Sequence, residues 1–187
     1  MRLFVALQIP SAVRENLATL LKELRGISSQ PRWVQPENLH VTLKFIGEVA
    51  PEKLGAIRAA LASVRSDLPV MLEFRGLGFF PNEKRPRVFW AGMDGSPNLK
   101  TLAAEIASAT EKLGIPREER PFSPHLTLAR FQAPGLPDKL RSAIRQNLAH
   151  EFGSLQTSQF HLIESKLKPS GAEYTTLQSF PFAGAEA

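Results

Sequence analysis

The sequence contains no cysteine among its 187 residues. Without thiols, the chain has no disulfide framework, no thiolate zinc site and no cysteine nucleophile. Long apolar runs are missing as well, because no stretch approaches the roughly 20 residues that a membrane helix needs. The apolar start, MRLFVALQIP, is too short for a signal peptide and meets Pro10. We therefore expect a protein of the cytoplasm with no membrane partner.

Several common catalytic motifs are also absent. The sequence has no G-x-S-x-G elbow for a serine nucleophile, no P-loop and no G-x-G-x-x-G dinucleotide fingerprint. We therefore expect neither a cofactor nor a nucleoside triphosphate as a partner.

The charge balance is basic, with 23 Lys and Arg against 18 Asp and Glu, and the net charge is +5. The basic residues form short clusters, NEKRPR at 82–87, REER at 117–120 and KLK at 166–168, rather than a tail. This distribution favours a groove that binds a polyanion. The length suits one ordinary domain, and we expect a monomer.

Two of only four histidines lie in the same short pattern, His followed by an aliphatic residue, Thr and Leu. Leu3, in the first predicted strand, lies 37 residues before His40, and Val88, in a second strand-like run, lies 37 residues before His125. An amphipathic helix is predicted between strand and motif each time, with leucines and isoleucines on one stripe. Helices that open with proline and an acidic residue are predicted after both motifs, from Pro51 and from Pro137.

These parallels predict one bilobal domain over 1–187 with an internal repeat, approximately 1–86 and 87–187. The predicted fold class is α+β: two duplicated halves with mainly antiparallel sheets around a central cleft, related by a pseudo-two-fold axis. We expect the last hairpin to turn at residues 169–171 and to complete the second sheet.

Side chains alternate between the two faces of a strand, so each motif predicts which side chains share a face. In HVTLKF, His40, Thr42 and Lys44 would share one face, while Phe45 would lie on the opposite, apolar face.

In HLTLAR, alternation places His125 and Thr127 together. Arg130 would then fall on the apolar face, so we expect the strand to end or to bulge before it, which would let Arg130 reach the cleft. We expect the remaining conspicuous residues to have packing or surface roles: Trp33, Trp90, Phe131, His150, His161 and Tyr174.

Two His and two Thr that face one another are suited to acid–base catalysis. A metal site would need a third ligand, which neither motif carries. Near neutral pH one imidazole can accept a proton while the other donates one. Thr42, Thr127 and Arg130 can bind phosphate oxygens that gain charge in a transition state. The pattern predicts displacement at a phosphodiester without a metal, and does not decide which histidine takes which role.

The segments LHVTLKFIG and PHLTLARF resemble the paired signatures of the 2H phosphoesterases. Longer segments, among them WVQPENLHVTLKFIGEV and ESKLKPSGAEYTTLQSFPF, are similar to the bacterial and archaeal RNA 2′,3′-cyclic phosphodiesterases, first described as 2′-5′ RNA ligases. The resemblance implies a bilobal fold and the opening of a terminal 2′,3′-cyclic phosphate to a 2′-phosphate. It also implies that His40 is the proton donor and that His125 is the proton acceptor.

Three alternatives stay open at this point. The same chemistry could act on another small cyclic phosphate or on a 2′-5′ linkage, with ligation as the reverse reaction. The chain could be a basic RNA-binding module without catalysis. It could also be a two-histidine metal protein, which would lose activity with a chelator.

Overall fold

The structure is a computed structural model, which describes residues 1–182, so the last five residues of the predicted second repeat lie outside it. Thirteen helices and strands follow one another along this part of the chain: β1 (Arg2–Gln8), α1 (Ser11–Ile27), β2 (Arg32–Trp33), β3 (His40–Glu48), α2 (Leu54–Ala62), β4 (Val70–Phe80), β5 (Val88–Gly95), α3 (Asn98–Glu111), β6 (His125–Arg130), α4 (Asp138–Arg145), β7 (Glu151–Thr157), β8 (Gln159–Lys168) and β9 (Gly171–Pro181). Short 3-10 turns, Pro36–Asn38 and Pro51–Lys53, precede β3 and α2.

The strands form two antiparallel sheets, and each sheet takes strands from both parts of the chain. The smaller sheet has the order β3-β1-β8-β9, and the larger has the order β2-β6-β5-β4-β7. The predicted α+β class with mainly antiparallel sheets around a cleft is confirmed. One expectation is wrong: the hairpin β8–β9 joins β1 in the first sheet and does not complete the second. In exchange, β4 from the first half pairs with β5 of the second.

The main apolar core lies on the helix-covered faces of both sheets. α1 buries the leucine stripe that its sequence predicts, because residues spaced three and four apart share one side of a helix. Four phenylalanines are fully buried, and burial of each contributes about 1.5–3 kcal/mol: Phe74, Phe89, Phe152 and Phe160. Within residues 1–182, no helix combines the length and the apolar character needed to cross a membrane.

The strand register corrects one detail of the predicted repeat. β1 pairs Phe4 with Phe45, and β5 pairs Val88 with Arg130. The residue of the first half that is equivalent to Val88 is therefore Phe4 rather than Leu3. The predicted spacing in the first half was counted from a position one residue too early. The repeat boundaries themselves stay a prediction.

Candidate active site

The two histidine motifs lie on β3 and β6, strands of different sheets whose Cα atoms approach within 8 Å of one another. On β3, His40 and Thr42 stand opposite Gln8 and Ala6 of β1. This face points away from the main core, because the intervening Val41 is fully buried in that core. His40 and Thr42 are both half-buried, as side chains that line a cleft would be.

The second motif has the same arrangement on the larger sheet. His125 stands opposite Gly92, and Thr127 stands opposite Trp90. Both motif side chains are half-buried, while Leu126 between them packs in the core. The alternation of faces within each His-x-Thr tripeptide is therefore as predicted.

Each imidazole is held by the backbone carbonyl two residues before it. The Nδ1 atom of His40 lies 3.1 Å from the carbonyl oxygen of Asn38, and that of His125 lies 2.8 Å from the carbonyl oxygen of Ser123. A carbonyl oxygen can only accept, so Nδ1 carries the proton and donates it in both hydrogen bonds. In the neutral ring Nε2 therefore carries the lone pair and can accept a proton, and once the ring is protonated Nε2 can donate one.

A bulge in β3 overturns the predicted faces after Thr42. The β1–β3 register skips Leu43, so that Ala6 pairs with Thr42 but Val5 pairs with Lys44. An extra residue in one strand reverses the alternation that follows it. Lys44 therefore turns into the core, where it is 3% exposed, and its Nζ donates to the carbonyl oxygen of Pro116 at 2.8 Å.

Phe45, predicted to be in the core, lies instead on the face of His40 and is 57% exposed. Its ring centroid is 6.3 Å from that of Phe4, which in turn lies 6.3 Å from that of His40. An exposed aromatic ring beside a histidine that lines a cleft can stack on a planar ligand group. Phe45 is thus a candidate substrate contact that the sequence interpretation assigned to the wrong face.

The same irregularity occurs in β6, as expected for Arg130. The β5–β6 register skips Leu128, so Trp90 pairs with Thr127 and Phe89 pairs with Ala129. Arg130 is exposed on the face that carries His125 and Thr127. Phe45 and Arg130 therefore occupy equivalent positions of the two motifs, three residues after each threonine.

Aromatic rings border both histidines. Tyr174 and His40 have ring centroids 5.7 Å apart, and Phe80 lies 5.1 Å from His125 at an interplanar angle of 87°. Trp90, expected in the core, shares the face of Thr127, and its ring lies 5.3 Å from that of Phe80. The other tryptophan, Trp33, packs against the core as predicted.

Electrostatics distinguish His40 from its counterpart. Burial lowers the pKa of His40 below the ordinary value of 6.5; the carbonyl of Asn38 opposes this shift, and the positive charge of Arg14 adds to it. Arg14 belongs to the first turn of α1, which follows the end of β1 where Gln8 pairs with His40. Its Nε is buried and has no hydrogen-bond partner among residues 1–182. No motif in the sequence points to Arg14.

His161 is a third histidine on this face. It stands opposite Ala6 on β8, it is 4% exposed, and its Nδ1 lies 2.8 Å from Oγ of Ser179. Burial lowers the pKa of His161, and the neighbouring His40 lowers it further. The expected structural role of His161 fits this burial, although no sequence signal indicates its closeness to His40.

A cavity of about 400 Å³ is lined by Tyr174 and by residues of the β8–β9 turn. Asn38 lines this cavity, and its Nδ2 donates to the carbonyl oxygen of Ala172 in the β8–β9 hairpin at 2.8 Å. Asn38 thus connects the hairpin to the carbonyl group that holds the His40 ring. In the described part of the chain, no three His, Asp or Glu residues are grouped closely enough to hold a metal ion.

Comparison with known proteins identifies the family. A model of the LigT-like phosphoesterases matches residues 7–90 and 93–174. The RNA 2′,3′-cyclic phosphodiesterase of Archaeoglobus fulgidus is 38% identical over 180 residues, which span 96% of this chain and 99% of that protein. The chain belongs to the LigT-like phosphoesterase family, and the resemblance to the 2H phosphoesterases is confirmed.

Solved structures agree with this membership. The crystal structure of TT0787 from Thermus thermophilus has a TM-score of 0.82 and 34% identity, and the match covers 100% of both chains. The crystal structure of E. coli LigT complexed with 3′-AMP has a TM-score of 0.74 and 29% identity, and the match covers 97% of each chain.

Proposed function

We propose that this protein is an RNA 2′,3′-cyclic phosphodiesterase that opens a terminal cyclic phosphate to a 2′-phosphate without a metal ion. The observation that carries the proposal is the matched pair of imidazoles, each with Nδ1 bound to a carbonyl, Nε2 free and a threonine on the same face. Relatives that match nearly the whole chain bear the name of this activity. A paired acid and base is the apparatus that such a displacement needs.

In the proposed reaction, Nε2 of His125 takes a proton from water as the water oxygen forms a bond to phosphorus. The bond between phosphorus and the 3′ oxygen breaks, and Nε2 of His40 gives its proton to that oxygen. The electron pair of the broken bond stays on the 3′ oxygen, and the phosphate remains on the 2′ oxygen. If the 5′-hydroxyl group of another RNA end takes the place of water, the same displacement forms a 2′-5′ bond, and the 3′ oxygen again leaves with the proton from His40.

The remaining site residues would bind the phosphate. The hydroxyl groups of Thr42 and Thr127 are placed on the two facing strands, where they can donate to the non-bridging oxygens. Arg130, which follows Thr127 after the bulge in β6, would add a charge-assisted hydrogen bond. Phe45 would supply the stacking surface for the terminal base.

The low pKa of His40 has to be reconciled with a role as proton donor. In the free protein His40 is neutral at pH 7, because burial and Arg14 disfavour its charged form. A bound phosphate anion beside the ring favours the charged form and raises the pKa. His40 would therefore take up its proton as the substrate binds.

The decisive experiment uses an RNA oligonucleotide ending in 2′,3′-cyclic phosphate, incubated with the protein and EDTA. The terminal phosphate of the product is then located by its chemistry or by NMR. A 2′-phosphate would establish the reaction, the leaving oxygen and the independence from metal. Loss of turnover with EDTA would contradict the metal-free mechanism, and binding without turnover would indicate an RNA-binding module.

A further inference from the structure

Two arginines face each other at the edge of the larger sheet. The β2–β6 register places Arg32 opposite Arg130 and Trp33 opposite Ala129. Ala129 is buried in the core and Trp33 packs against it, so the two arginines share the opposite face, which is that of Thr127. Both arginines are exposed.

Neither arginine has an acidic partner in the described part of the chain. Among residues 1–182, no carboxylate lies within 4.0 Å of either guanidinium, and neither side chain donates a hydrogen bond. Other arginines of the chain do form such pairs, among them Arg75, which lies 2.7 Å from Asp94. Like charges directly opposite each other destabilise a sheet. This pair therefore costs stability until an anion neutralises it.

The surroundings of the pair are cationic as well. The loop at 82–87 leads into β5, whose first residue, Val88, pairs with Arg130. Lys84, Arg85 and Arg87 of this loop are exposed. Its one acidic residue, Glu83, is engaged by Arg141 at 3.3 Å and by Arg145 at 3.1 Å. Glu83 is therefore already engaged and does not neutralise the three basic residues of its own loop.

We propose that Arg32, together with Arg130, binds the RNA phosphate that precedes the terminal nucleotide. This inference rests on the proposed function. Arg130 lies on the strand of Thr127, which would bind the reacting phosphate, while Arg32 lies one strand farther out, at a Cα separation of about 4.5–5.5 Å. The two guanidinium groups are therefore arranged in sequence from the reacting phosphate outward, and their planar forks suit phosphate oxygens.

The smaller sheet offers no equivalent contact. There β3 is itself the edge strand, and the counterpart of Arg130 is the uncharged Phe45. The RNA backbone would thus leave the site over β6 and β2, while the terminal base lies on the side of Phe45.

The test compares two small substrates, adenosine 2′,3′-cyclic phosphate with a 5′-hydroxyl group and the same compound with a 5′-phosphate. The readout is the ratio of kcat/KM for the phosphorylated substrate to kcat/KM for the other. We expect wild type to prefer the 5′-phosphate and Arg32→Ala to lower this ratio about fivefold or more. Arg32→Lys should give an intermediate ratio, because it keeps the charge and loses the fork. Arg75→Ala, which removes a neutralised strand arginine of the same sheet, should keep the wild-type ratio.

The outcomes separate the two hypotheses. If wild type turns over neither substrate and also leaves the cyclic phosphate of the RNA oligonucleotide intact, the proposed function fails and this inference fails with it. If wild type turns over both and Arg32→Ala has the wild-type ratio, the inference alone is overturned. An equal loss for both substrates in Arg32→Ala, with a lower melting temperature, would show that Arg32 acts on the fold and would also overturn it.

Discussion

The two sheets fill the space beside their site threonines in opposite ways. In the smaller sheet, the neighbour of Thr42 is Ala6, and a large residue, His161, stands opposite Ala6 on the next strand. A small side chain in the central strand thus leaves room for an imidazole beside it.

In the larger sheet the order of sizes is reversed. Thr127 has Trp90 as its neighbour, and Trp90 stands opposite Gly78. A Cβ atom on Gly78 would lie 2.2 Å from Cζ2 of Trp90, so the indole covers the glycine. The two sheets thus have the same backbone pairing beside the threonine. The large and the small side chain occupy opposite positions in the two sheets, and each combination fills the space on its face. The pseudo-symmetry of the site therefore belongs to its backbone and its motifs only.

A second difference concerns the position three residues after each threonine. Phe45 has the aromatic Phe4 as its cross-strand partner, whereas Arg130 has a second arginine, Arg32, on its outer side. One side of the site is therefore apolar and the other is cationic. A nucleotide has a flat apolar base and an anionic backbone, so this difference would fix the direction in which it binds.

The largest expected effect concerns the histidine that each side of the site contains. We expect His40→Ala and His125→Ala each to lower kcat/KM by about 10²–10⁴-fold, because each removes one proton-transfer group. His150→Ala, which changes an exposed histidine elsewhere, is the control. Melting temperatures near that of wild type would show that the fold is retained, and near-normal activity in either site variant would contradict the paired mechanism.

The next effect tests the apolar side. Phe45→Ala should raise KM about 5–150-fold for a cyclic nucleotide, because stacking on one aromatic ring contributes about 1–3 kcal/mol. Ribose 2′,3′-cyclic phosphate without a base should show almost no change in KM. Leu167→Ala, an exposed apolar residue of β8, serves as the control. Equal losses for both substrates would show that Phe45 does not contact the base.

The close packing of Trp90 on Gly78 can be tested by adding a side chain at Gly78. Gly78→Ala should destabilise the protein by about 1–3 kcal/mol, because the new methyl group forces Trp90 off the sheet. Gly55→Ala in α2 is the matched control: no atom lies within 4 Å of its added Cβ, and alanine should stabilise the helix by about 0.5–1 kcal/mol. Urea denaturation measures both, and a neutral Gly78→Ala would refute the close contact.

A smaller effect concerns the charge of His40. An NMR titration should find its pKa below 6.5 in the free protein, and Arg14→Gln should move it upward, since a neighbouring positive charge is removed. Inorganic phosphate should also raise it. If phosphate leaves the His40 resonance unchanged, the anion does not bind beside this ring. The pH profile of kcat/KM should be bell-shaped, because the rate requires one protonated and one neutral imidazole.

The smallest expected effect is the pH dependence of the stability of the fold. The pKa values of His40 and His161 are lowered by folding, so their contribution is present above pH 6.5 and is lost as the pH falls through the folded-state values. The melting temperature should therefore fall between pH 7.5 and pH 5. In His161→Gln this fall should be smaller, and an unchanged slope would show that His161 does not titrate in this range.

The prediction for Phe45 shows that simple alternation within a motif does not assign every side chain to the correct face. Uninterrupted alternation in the first motif predicts Phe45 in the core, while the second strand is expected to end or to bulge before Arg130, which would let Arg130 reach the cleft. Aligning HVTLKF with HLTLAR places Phe45 and Arg130 at the same position, so the two copies call for the same bulge. The prediction for Phe45 is wrong because it treats the two copies differently.

Other features had no signal in the sequence. β4 pairs in the sheet of the second half, and the β8–β9 hairpin pairs in the sheet of the first half. This arrangement depends on which sheet edges are free once the other strands have paired, and no local sequence pattern encodes it. The approach of Arg14 and His161 to His40 follows from the same pairing. The short β2, which brings Arg32 opposite Arg130, has only two residues, too few for any periodicity.

The sequence by itself determined the helices, most of the strands, the two motifs and the family, because these depend on the spacing of apolar residues and on short patterns that are local in the chain. The cytoplasmic setting and the monomeric state stay predictions from composition. Only the structure showed that Lys44 turns into the core and that Phe45 joins the site face, since a one-residue bulge reverses every later side chain of a strand. The tertiary structure also decided which charges meet, because Arg32 and Arg130 are 98 positions apart in the chain and become neighbours only through the pairing of β2 with β6.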